Sequence, residues 1–155
     1  MKGFTFFSSL EHLDAESKYL VHKAKEATST AYAPYSKFYV GAALLLDDGT
    51  LVPGANCENA AYPLCMCAER VALYVAASQH PGKIIKKLAV VAHKKNHKEL
   101  VNASSCGACR QVMREFEMRQ NSPIEVVMFD EDKWTKCSSV AVLLPFSFDS
   151  GNLKD

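Results

Sequence analysis

Two cysteines in the second half of the sequence have a spacing that suits metal or redox chemistry. Cys106 and Cys109 lie in the stretch SSCGACRQVM, residues 104–113, where a helix is predicted to begin. Side chains three residues apart project from the same side of a helical turn, and the amino end of a helix favours the thiolate form of cysteine. A lone C-x-x-C pair is ambiguous, because it suits a redox dithiol, a structural zinc site or a catalytic zinc site.

A second stretch, LCMCAERVAL at residues 64–73, adds more thiols and a carboxylate. Cys67 is predicted to open another helix, and Glu69 follows it by two positions. Together with the C-x-x-C pair, Cys67 would make three thiolate ligands, which leaves the fourth position of a tetrahedral zinc ion open for catalysis. Glu69 could then reach a water at the metal without being a ligand, as in the zinc deaminases. Cys65 lies outside that geometry and is predicted not to bind.

Two other interpretations of these thiols are less specific. A redox dithiol would leave the pairing of Cys67 with Glu69 unexplained, and no tryptophan precedes the C-x-x-C pair. A structural zinc site would need a fourth ligand, which Cys57 or Cys65 could supply. Both of these residues, and Cys137 with them, are predicted instead to be small buried or partly buried side chains.

The elements that must position these side chains follow from hydrophobic periodicity and from breaker residues. A capping box at Ser8–Glu11 predicts a helix that continues to Ala31 and ends before Pro34. The other predicted elements are strands at 38–46, 51–56, 88–92 and 124–129, helices at 67–78 and 107–119, and an apolar segment at 140–144. Strands that alternate with helices after a hairpin predict an α/β protein, a three-layer α/β/α sandwich with a central mixed sheet of about five strands.

Composition limits the class of protein. The chain has 155 residues, 48% of them hydrophobic and 23% charged, which is typical of one ordinary globular domain. We therefore expect a single domain over 1–155, with loose termini at 1–9 and 150–155. A net charge of +1 argues against binding to nucleic acid or to an anionic membrane. Because the sequence shows no signal peptide and no apolar span, we expect a cytoplasmic protein with reduced thiols.

Four blocks of the sequence together resemble one family, the small homotetrameric cytidine deaminases. They follow one another in the family's order and spacing, and they are YAPYSKFYVGAALL (32–45), NCENAAYPLCMCAERVAL (56–73), CGACRQVMREF (106–116) and LLPFSF (143–148). The resemblance implies zinc-dependent hydrolysis of cytidine and 2′-deoxycytidine to uridine and 2′-deoxyuridine with release of ammonia, a step in pyrimidine salvage. It also implies one Zn²⁺ per subunit and a homotetramer with sites near the subunit boundaries.

Alternatives within the deaminases and outside them stay open at this point. An enzyme that edits polynucleotides would want a basic channel with aromatic residues, which this balanced chain lacks. A deaminase of another cytosine-nucleoside compound is the nearer alternative. A non-catalytic structural zinc module is the more distant one, and it leaves the grouping of Asn56, Glu58 and Glu69 unexplained.

Residue by residue, the resemblance implies a metal centre and its catalytic partner. Zinc would be held by Cys67, Cys106 and Cys109. Glu69 would transfer protons between water and substrate, and Arg70 would donate hydrogen bonds to the ligand sulfurs. Since Cys67, Glu69 and Arg70 lie within four consecutive residues, one helical turn would carry all three functions.

The resemblance also assigns substrate contacts. Asn56 and Glu58 match positions that bind the ribose hydroxyls, and Phe38 matches a position that packs against the pyrimidine ring. Backbone groups of Ala68 would contact the edge of the base. Other positions that line the family's sites, some of them reaching in from neighbouring subunits, are matched by Tyr35, Ala60, Tyr62 and Phe148.

One residue departs from the family pattern. The family usually has proline before the first cysteine of the C-x-x-C pair, whereas this chain has Ser105. Proline would fix one backbone dihedral angle and remove an N–H group near the sulfurs. Serine keeps that N–H and adds a hydroxyl, so we expect the loop to be less rigid there. The predicted ligands do not depend on this position.

Overall fold

Seven strands form one mixed β-sheet in the part of the chain that the structure describes. The structure is a computed structural model, and it describes residues 2–97 and 99–153. The strands are β1 (Phe4–Phe7), β2 (Phe38–Leu46), β3 (Leu51–Ala55), β4 (Ile85–Lys94), β5 (Leu100–Val101), β6 (Glu125–Asp130) and β7 (Lys133–Cys137). Their order is β1-β7-β6-β4-β2-β3, and β5 pairs with β4 beside this path. β4 and β6 are parallel, and the other pairs are antiparallel.

Helices cover both faces of this sheet. They are α1 (Ala15–Ala27), α2 (Ala68–Gln79), α3 (Gly107–Arg119) and the short α4 (Val140–Leu143). On one face, Leu20 of α1 packs in an apolar cluster with Ala43 of β2. On the other face, Leu73 of α2 and Met113 of α3 pack with Leu44, the next residue of the same strand. Successive strand residues point to opposite faces, and the predicted three-layer α/β/α sandwich is thereby confirmed.

The sheet is larger than the five strands expected from the sequence. The sequence of β7 is Lys-Trp-Thr-Lys-Cys, and its two lysines make it look unlike a buried strand. β1 pairs with β7 along the whole length of β1. An edge strand at Phe4–Phe7 therefore replaces the loose amino terminus that was expected for 1–9. At the other end, where 150–155 were expected to be loose, Ser150–Leu153 form a short 3-10 helix. Residues 154 and 155 lie outside the described residues.

The first long helix begins later than its predicted capping box. Ser9 caps only a short 3-10 turn at Leu10–His12, and no helix opens at Ser8. The cap of α1 is Asp14, whose Oδ1 accepts a hydrogen bond of 2.8 Å from the backbone N–H of Ser17. The predicted start of this helix at Ser8–Glu11 is therefore wrong, because Asp14 makes the capping hydrogen bond of α1.

An ion cluster fastens the start of α1 to the sheet. Lys87 of β4 is buried, and its Nζ lies 3.3 Å from Asp14 Oδ1, 3.0 Å from Glu16 Oε1 and 2.9 Å from Glu125 Oε1. Partial burial acts to raise the pKa of the Asp14 carboxyl, but the hydrogen bonds that it accepts from Ser17 and Lys136 outweigh the effect of burial. The pKa of Asp14 therefore lies well below its usual range.

Two glycines let helices approach the sheet closely. A side chain at Gly54 in β3 would collide with the carbonyl oxygen of Ala68 and with Ala72, both in α2. Gly41 in β2 stands in the same relation to Ala24 of α1 on the opposite face. The contact at Gly54 sets the first turn of α2 directly against β3, and that turn leads into the candidate site.

Covalent cross-links do not contribute to this fold, because all six cysteines are free thiols. The longest helices, α1 and α3, have 13 residues each. Within residues 2–97 and 99–153, no helix is long and apolar enough to cross a membrane. The fold is therefore held by the sheet ladder and by its two apolar faces.

Candidate active site

Two helices begin at the same place, and their first residues bring three sulfur atoms together. Cys67 is the N-cap residue of α2, Cys106 is that of α3, and Cys109 lies in the first turn of α3. The three Sγ atoms all lie within 4.8 Å of one another. Zinc with Zn–S bonds of about 2.3 Å would hold tetrahedral sulfurs about 3.8 Å apart. The group therefore fits zinc in both ligand chemistry and spacing.

The sulfur group leaves room for a catalytic position. Among the described residues, no fourth cysteine, histidine or carboxylate joins the three sulfurs. Cys65 points elsewhere, because its Sγ accepts a hydrogen bond of 3.2 Å from the backbone N–H of Asn59. Structural zinc sites are closed by four protein ligands, whereas catalytic sites keep one position open. The group therefore offers three protein ligands, with Cys67 and not Cys65 beside the C-x-x-C pair.

Arg70 balances the charge of the sulfurs. Its guanidinium donates a hydrogen bond of 3.5 Å to Cys67 Sγ. The contacts with Cys109 and with Arg70 lower the pKa of the Cys67 thiol, and the contact with Cys67 raises the pKa of the Cys109 thiol. Arg70 and the amino end of α2 thus both favour the thiolate form of Cys67.

Glu69 lies in the first turn of α2 and is only 4% exposed. Burial raises the pKa of its carboxyl, and the side chains of Ser105 and Cys109 partly oppose that rise. In the described chain no other residue hydrogen-bonds its carboxylate within 3.5 Å. A buried carboxyl with a raised pKa is suited to taking up and passing on a proton.

A cavity of about 500 Å³ opens beside this carboxylate. Its volume falls in the range of pockets that hold small molecules. Asn102, Ala103 and Ser104, which lead from β5 into α3, close one side of it. The rest of its wall includes several residues predicted for the site, namely Phe38, Asn56, Glu58, Cys67, Glu69 and Cys106.

Asn56 holds the start of β2 at Phe38, and Glu58 holds the loop that precedes it. The Nδ2 of Asn56 donates a hydrogen bond of 2.9 Å to the carbonyl oxygen of Phe38, and its Oδ1 accepts one from the β2 backbone. Glu58 accepts hydrogen bonds from the backbone N–H of Tyr35 and from the hydroxyl of Ser36. The bond from Ser36 is the main reason that the pKa of the Glu58 carboxyl is lowered. Glu58 is partly exposed at the cavity rather than buried.

Three other predicted substrate residues lie outside the cavity wall of the single chain. Tyr62 is 70% exposed and Phe148 is 62% exposed. The ring of Tyr62 meets the edge of Tyr35, with 6.2 Å between the ring centroids. Ala68 is fully buried at the first position of α2, so that its side chain serves packing. The expected roles of the two aromatic residues therefore stay predictions that need a neighbouring subunit.

Sequence reasoning missed two residues that hold the site in place. Ser36 bonds the Glu58 carboxylate, and Arg110 Nε donates a hydrogen bond of 2.8 Å to the carbonyl oxygen of Ser105. Both lie within blocks that carry the family resemblance, so those blocks held the available signal. The bond from Arg110 goes to a backbone carbonyl group, which every residue has, so no residue type at a given spacing predicts it.

Comparisons with known proteins agree with one another. The family model described as the cytidine and deoxycytidylate deaminase zinc-binding region matches residues 14–122. Cytidine deaminase of Sporosarcina psychrophila is 42% identical over 134 residues, which are 86% of this chain and 92% of that protein. The crystal structure of cytidine deaminase from Burkholderia pseudomallei matches with a TM-score of 0.70 at 40% identity and covers 88% of this chain and 100% of that one. The crystal structure of cytidine deaminase from Mycobacterium tuberculosis matches with a TM-score of 0.68 at 33% identity, and the match covers 88% of this chain and 99% of that one.

Proposed function

The chain belongs to the family of cytidine and deoxycytidylate deaminases, and from this we propose which of its residues carry out the reaction. It is a zinc-dependent hydrolase that converts cytidine to uridine and releases ammonia. The observation that carries the assignment is the meeting of three sulfurs and a buried glutamate at one cavity. We extend the substrate range to 2′-deoxycytidine, because it presents the same base and the same leaving group.

Metal binding falls to Cys67, Cys106 and Cys109, and proton transfer falls to Glu69. Bound zinc supplies the Lewis acidity that activates a water molecule for attack at C4 of the cytosine ring. Glu69 accepts a proton from that water and passes it to N3 of the ring. The carboxyl then moves the second proton to the exocyclic amino group, which leaves as ammonia while the oxygen stays on C4. Its raised pKa suits a group that must act first as base and then as acid.

Arg70 has an electrostatic role in this proposal. Three thiolates and one Zn²⁺ would carry a net charge of −1, which makes water at the centre harder to ionise. The guanidinium that donates to Cys67 Sγ offsets part of this charge, as do the amino ends of α2 and α3. Arg70 thus supports deprotonation of the attacking water without touching the substrate.

The nucleoside would be held by the residues that line the cavity. A carboxylate offers about four acceptor positions, so Glu58 keeps capacity for a ribose hydroxyl after bonding the loop. Asn56 keeps one N–H donor for the same sugar, and the ring of Phe38 packs against the pyrimidine. The backbone N–H of Ala68 belongs to the unpaired first turn of α2 and is free to meet the base edge.

We propose a homotetramer with one zinc ion per subunit. Several large apolar side chains are exposed in the single chain, which is typical of a surface that meets a partner. They include Leu64, at 67% exposed, and Phe146, at 96%. The role proposed for Tyr62 and Phe148 is to complete the site of a neighbouring subunit, which accounts for their distance from the cavity of their own chain.

A cytoplasmic setting and a single domain complete the proposal. All six cysteines are free thiols, and the sulfurs of three of them lie within 4.8 Å of one another. Such thiols suit a compartment that keeps cysteines reduced. The balanced charge gives no support to nucleic acid or membrane as a partner. We take the chain as one deaminase domain, because one sheet carries every residue of the site.

The proposed function is tested by mixing the purified protein with cytidine and following the loss of ultraviolet absorbance. We expect turnover with release of one ammonia per cytidine, loss of turnover after a chelator removes zinc, and recovery when zinc is returned. A protein that contains one zinc per chain and turns over neither cytidine nor 2′-deoxycytidine would contradict the proposal. It would favour a structural zinc module instead.

A further inference from the structure

The tail that follows α4, residues 145–153, presents aromatic rings to the outside of the chain. It starts after Leu143, the last residue of α4, which is buried against the core. Phe146 is 96% exposed and Phe148 is 62% exposed. Beyond them, the backbone N–H of Asp149 donates a hydrogen bond of 2.8 Å to Asn152 Oδ1. This bond shapes the end of the tail, but it does not fix where the tail lies on the rest of the protein.

A side chain of α3 joins the tail to the body of the protein. The Nε2 of Gln111 donates a hydrogen bond of 2.6 Å to the carbonyl oxygen of Phe148. Gln111 follows the thiol of Cys109 by two positions on the same helix. The bond between Asp149 and Asn152 lies within the tail, whereas this one crosses to α3. It therefore sets where the backbone of Phe148 stands relative to the helix.

The residue type at position 111 suits this contact. A carbonyl oxygen only accepts hydrogen bonds, so the NH₂ group of the glutamine and not its oxygen must face Phe148. The amide supplies this donor without adding a charge at the amino half of α3. An apolar side chain of the same length could follow the same path, but it could not hold the tail.

We propose that Gln111 is a positioning residue, which holds Phe148 where its ring completes the site of a neighbouring subunit. This inference rests on the proposed function, in which Phe148 contributes to that neighbouring site. α3 then serves two sites at once. Its cysteines belong to the metal site of their own subunit, and Gln111, within one turn of Cys109, supports the wall of the next.

The test uses Gln111→Met, because methionine matches glutamine in length and helix propensity but has no donor. We expect KM for cytidine to rise about three- to tenfold, which is the loss expected for one hydrogen bond. kcat should not change, because a ring that packs on the pyrimidine contacts substrate and transition state alike. The affinity for uridine should fall by the same factor as KM rises. Zinc content, Tm and oligomeric state should match wild type.

A rescue variant and a matched control separate positioning from a general effect on α3. Gln111→Lys supplies a donor again and should recover most of the lost KM. Gln120 lies at the other end of α3, and its Nε2 donates a hydrogen bond of 2.8 Å to the carbonyl oxygen of Ile85. Gln120→Met should therefore lower Tm and leave KM unchanged.

A double variant asks whether Gln111 acts through Phe148. Phe148→Ala alone should raise KM at least as much as Gln111→Met does, because it removes the whole ring. Adding Gln111→Met to Phe148→Ala should then cause no further change, since a residue cannot position a ring that is absent. Effects that multiply in the double variant mean that Gln111 acts elsewhere, and they overturn the proposal.

The remaining outcomes also decide against stated parts of the proposal. An unchanged KM in Gln111→Met, with active wild-type enzyme, overturns the positioning role and leaves the deaminase function standing. A rise in KM that comes with a lower Tm or with loss of zinc means that Gln111 is structural, and it overturns the role too. An unchanged KM in Phe148→Ala removes the role of Phe148 on which this inference rests. Wild-type enzyme that holds zinc but does not deaminate cytidine removes the proposed function itself.

Discussion

The molecule contains two equally buried glutamates and surrounds them in opposite ways. Glu69 is 4% exposed and Glu117 is 5% exposed. Five donors reach the carboxylate of Glu117 at distances of 2.8 to 3.1 Å, and they are Arg114 Nη1, Ser139 Oγ and the backbone N–H groups of Ile124, Val140 and Ala141. Glu69 has none within the same range among the described residues. A fold able to saturate one buried carboxylate gives the other no bond of this strength at the place where the chemistry is proposed.

The two ends of α3 have different tasks, and each of the two glutamates belongs to one of them. At the amino end, Cys106 and Cys109 meet Cys67 of α2, close to Glu69, in a group that could hold a metal ion. Near the carboxyl end, Glu117 ties α3 to the start of α4 and to the residue that leads into β6. Changes at the first end should therefore affect turnover with little effect on stability, and changes at the second should do the opposite.

The largest effect should come from the metal ligands at the amino end. Cys67→Ser should lose zinc and with it all measurable turnover, because a serine hydroxyl is a poor ligand for this soft site. Cys65→Ser should keep one zinc per chain. Metal analysis of the two purified variants checks this expectation, and loss of zinc from Cys65→Ser with retention in Cys67→Ser would reverse the assignment.

The next effect is expected at Glu69. Glu69→Gln keeps the shape of the side chain but cannot accept and return a proton, so kcat should fall by about 10²- to 10⁴-fold. Zinc content should not change, and Tm should stay level or rise, because burial no longer opposes a charge. Steady-state kinetics with thermal unfolding of the same samples measures both. A variant that deaminates cytidine at the wild-type rate would rule out the proposed mechanism.

Glu117→Gln tests the other side of the comparison. The single carbonyl oxygen of an amide cannot accept from all five donors, and the amide NH₂ group would itself point at N–H or O–H donors. We therefore expect the free energy of unfolding to fall by about 3 kcal/mol. For a chain of this size that corresponds to a fall in Tm of about 10 °C. Well below Tm, kcat and zinc content should match wild type. A loss of activity in the folded variant would mean that the two ends of α3 are coupled.

The smallest effect concerns Asp14, a carboxylate paired at the surface. Its pKa in the folded state lies below that of the unfolded chain, so its ionised form adds stability above about pH 4, and this is lost as pH falls through the folded pKa. Asp14→Asn should reduce the free energy of unfolding at pH 7 by about 0.5–1 kcal/mol, since the pairs with Lys87 and Lys136 are partly exposed. Denaturant titrations from pH 2 to pH 7 should show a weaker pH dependence than in wild type. An identical pH dependence would contradict this account of Asp14.

The parts of the site that depend on local spacing could be predicted from the sequence. The C-x-x-C pair lies at the start of α3, whose predicted bounds of 107–119 are those observed. Cys67 joins the same group, because both predicted helices begin where their cysteines lie. Spacing within a helical turn is fixed by helix geometry, so the sequence carries that information directly.

The parts that depend on distant partners could not be predicted. Glu117 reads as an ordinary charged residue on a helix, because its donors at Ser139, Val140 and Ala141 come 22 to 24 residues later. The strands β1 and β7 were missed for a related reason. Both strands are short, β1 is paired only with β7 at the opposite end of the chain, and β7 lies between β1 and β6, so their strand character comes from their neighbours in the sheet.

The glycine at position 54 bears on the spacing of the three thiols. Gly54 lets the backbone of β3 touch the carbonyl of Ala68, and this contact sets how far the first turn of α2 stands from the sheet. Cys67 moves with that turn, whereas Cys106 and Cys109 move with α3. The distance from Cys67 Sγ to the sulfurs of Cys106 and Cys109 therefore depends in part on Gly54, which has no side chain and is not one of the three cysteines. The spacing of the three sulfurs is, in this architecture, a property of the packing between α2 and the sheet as much as of the cysteines themselves.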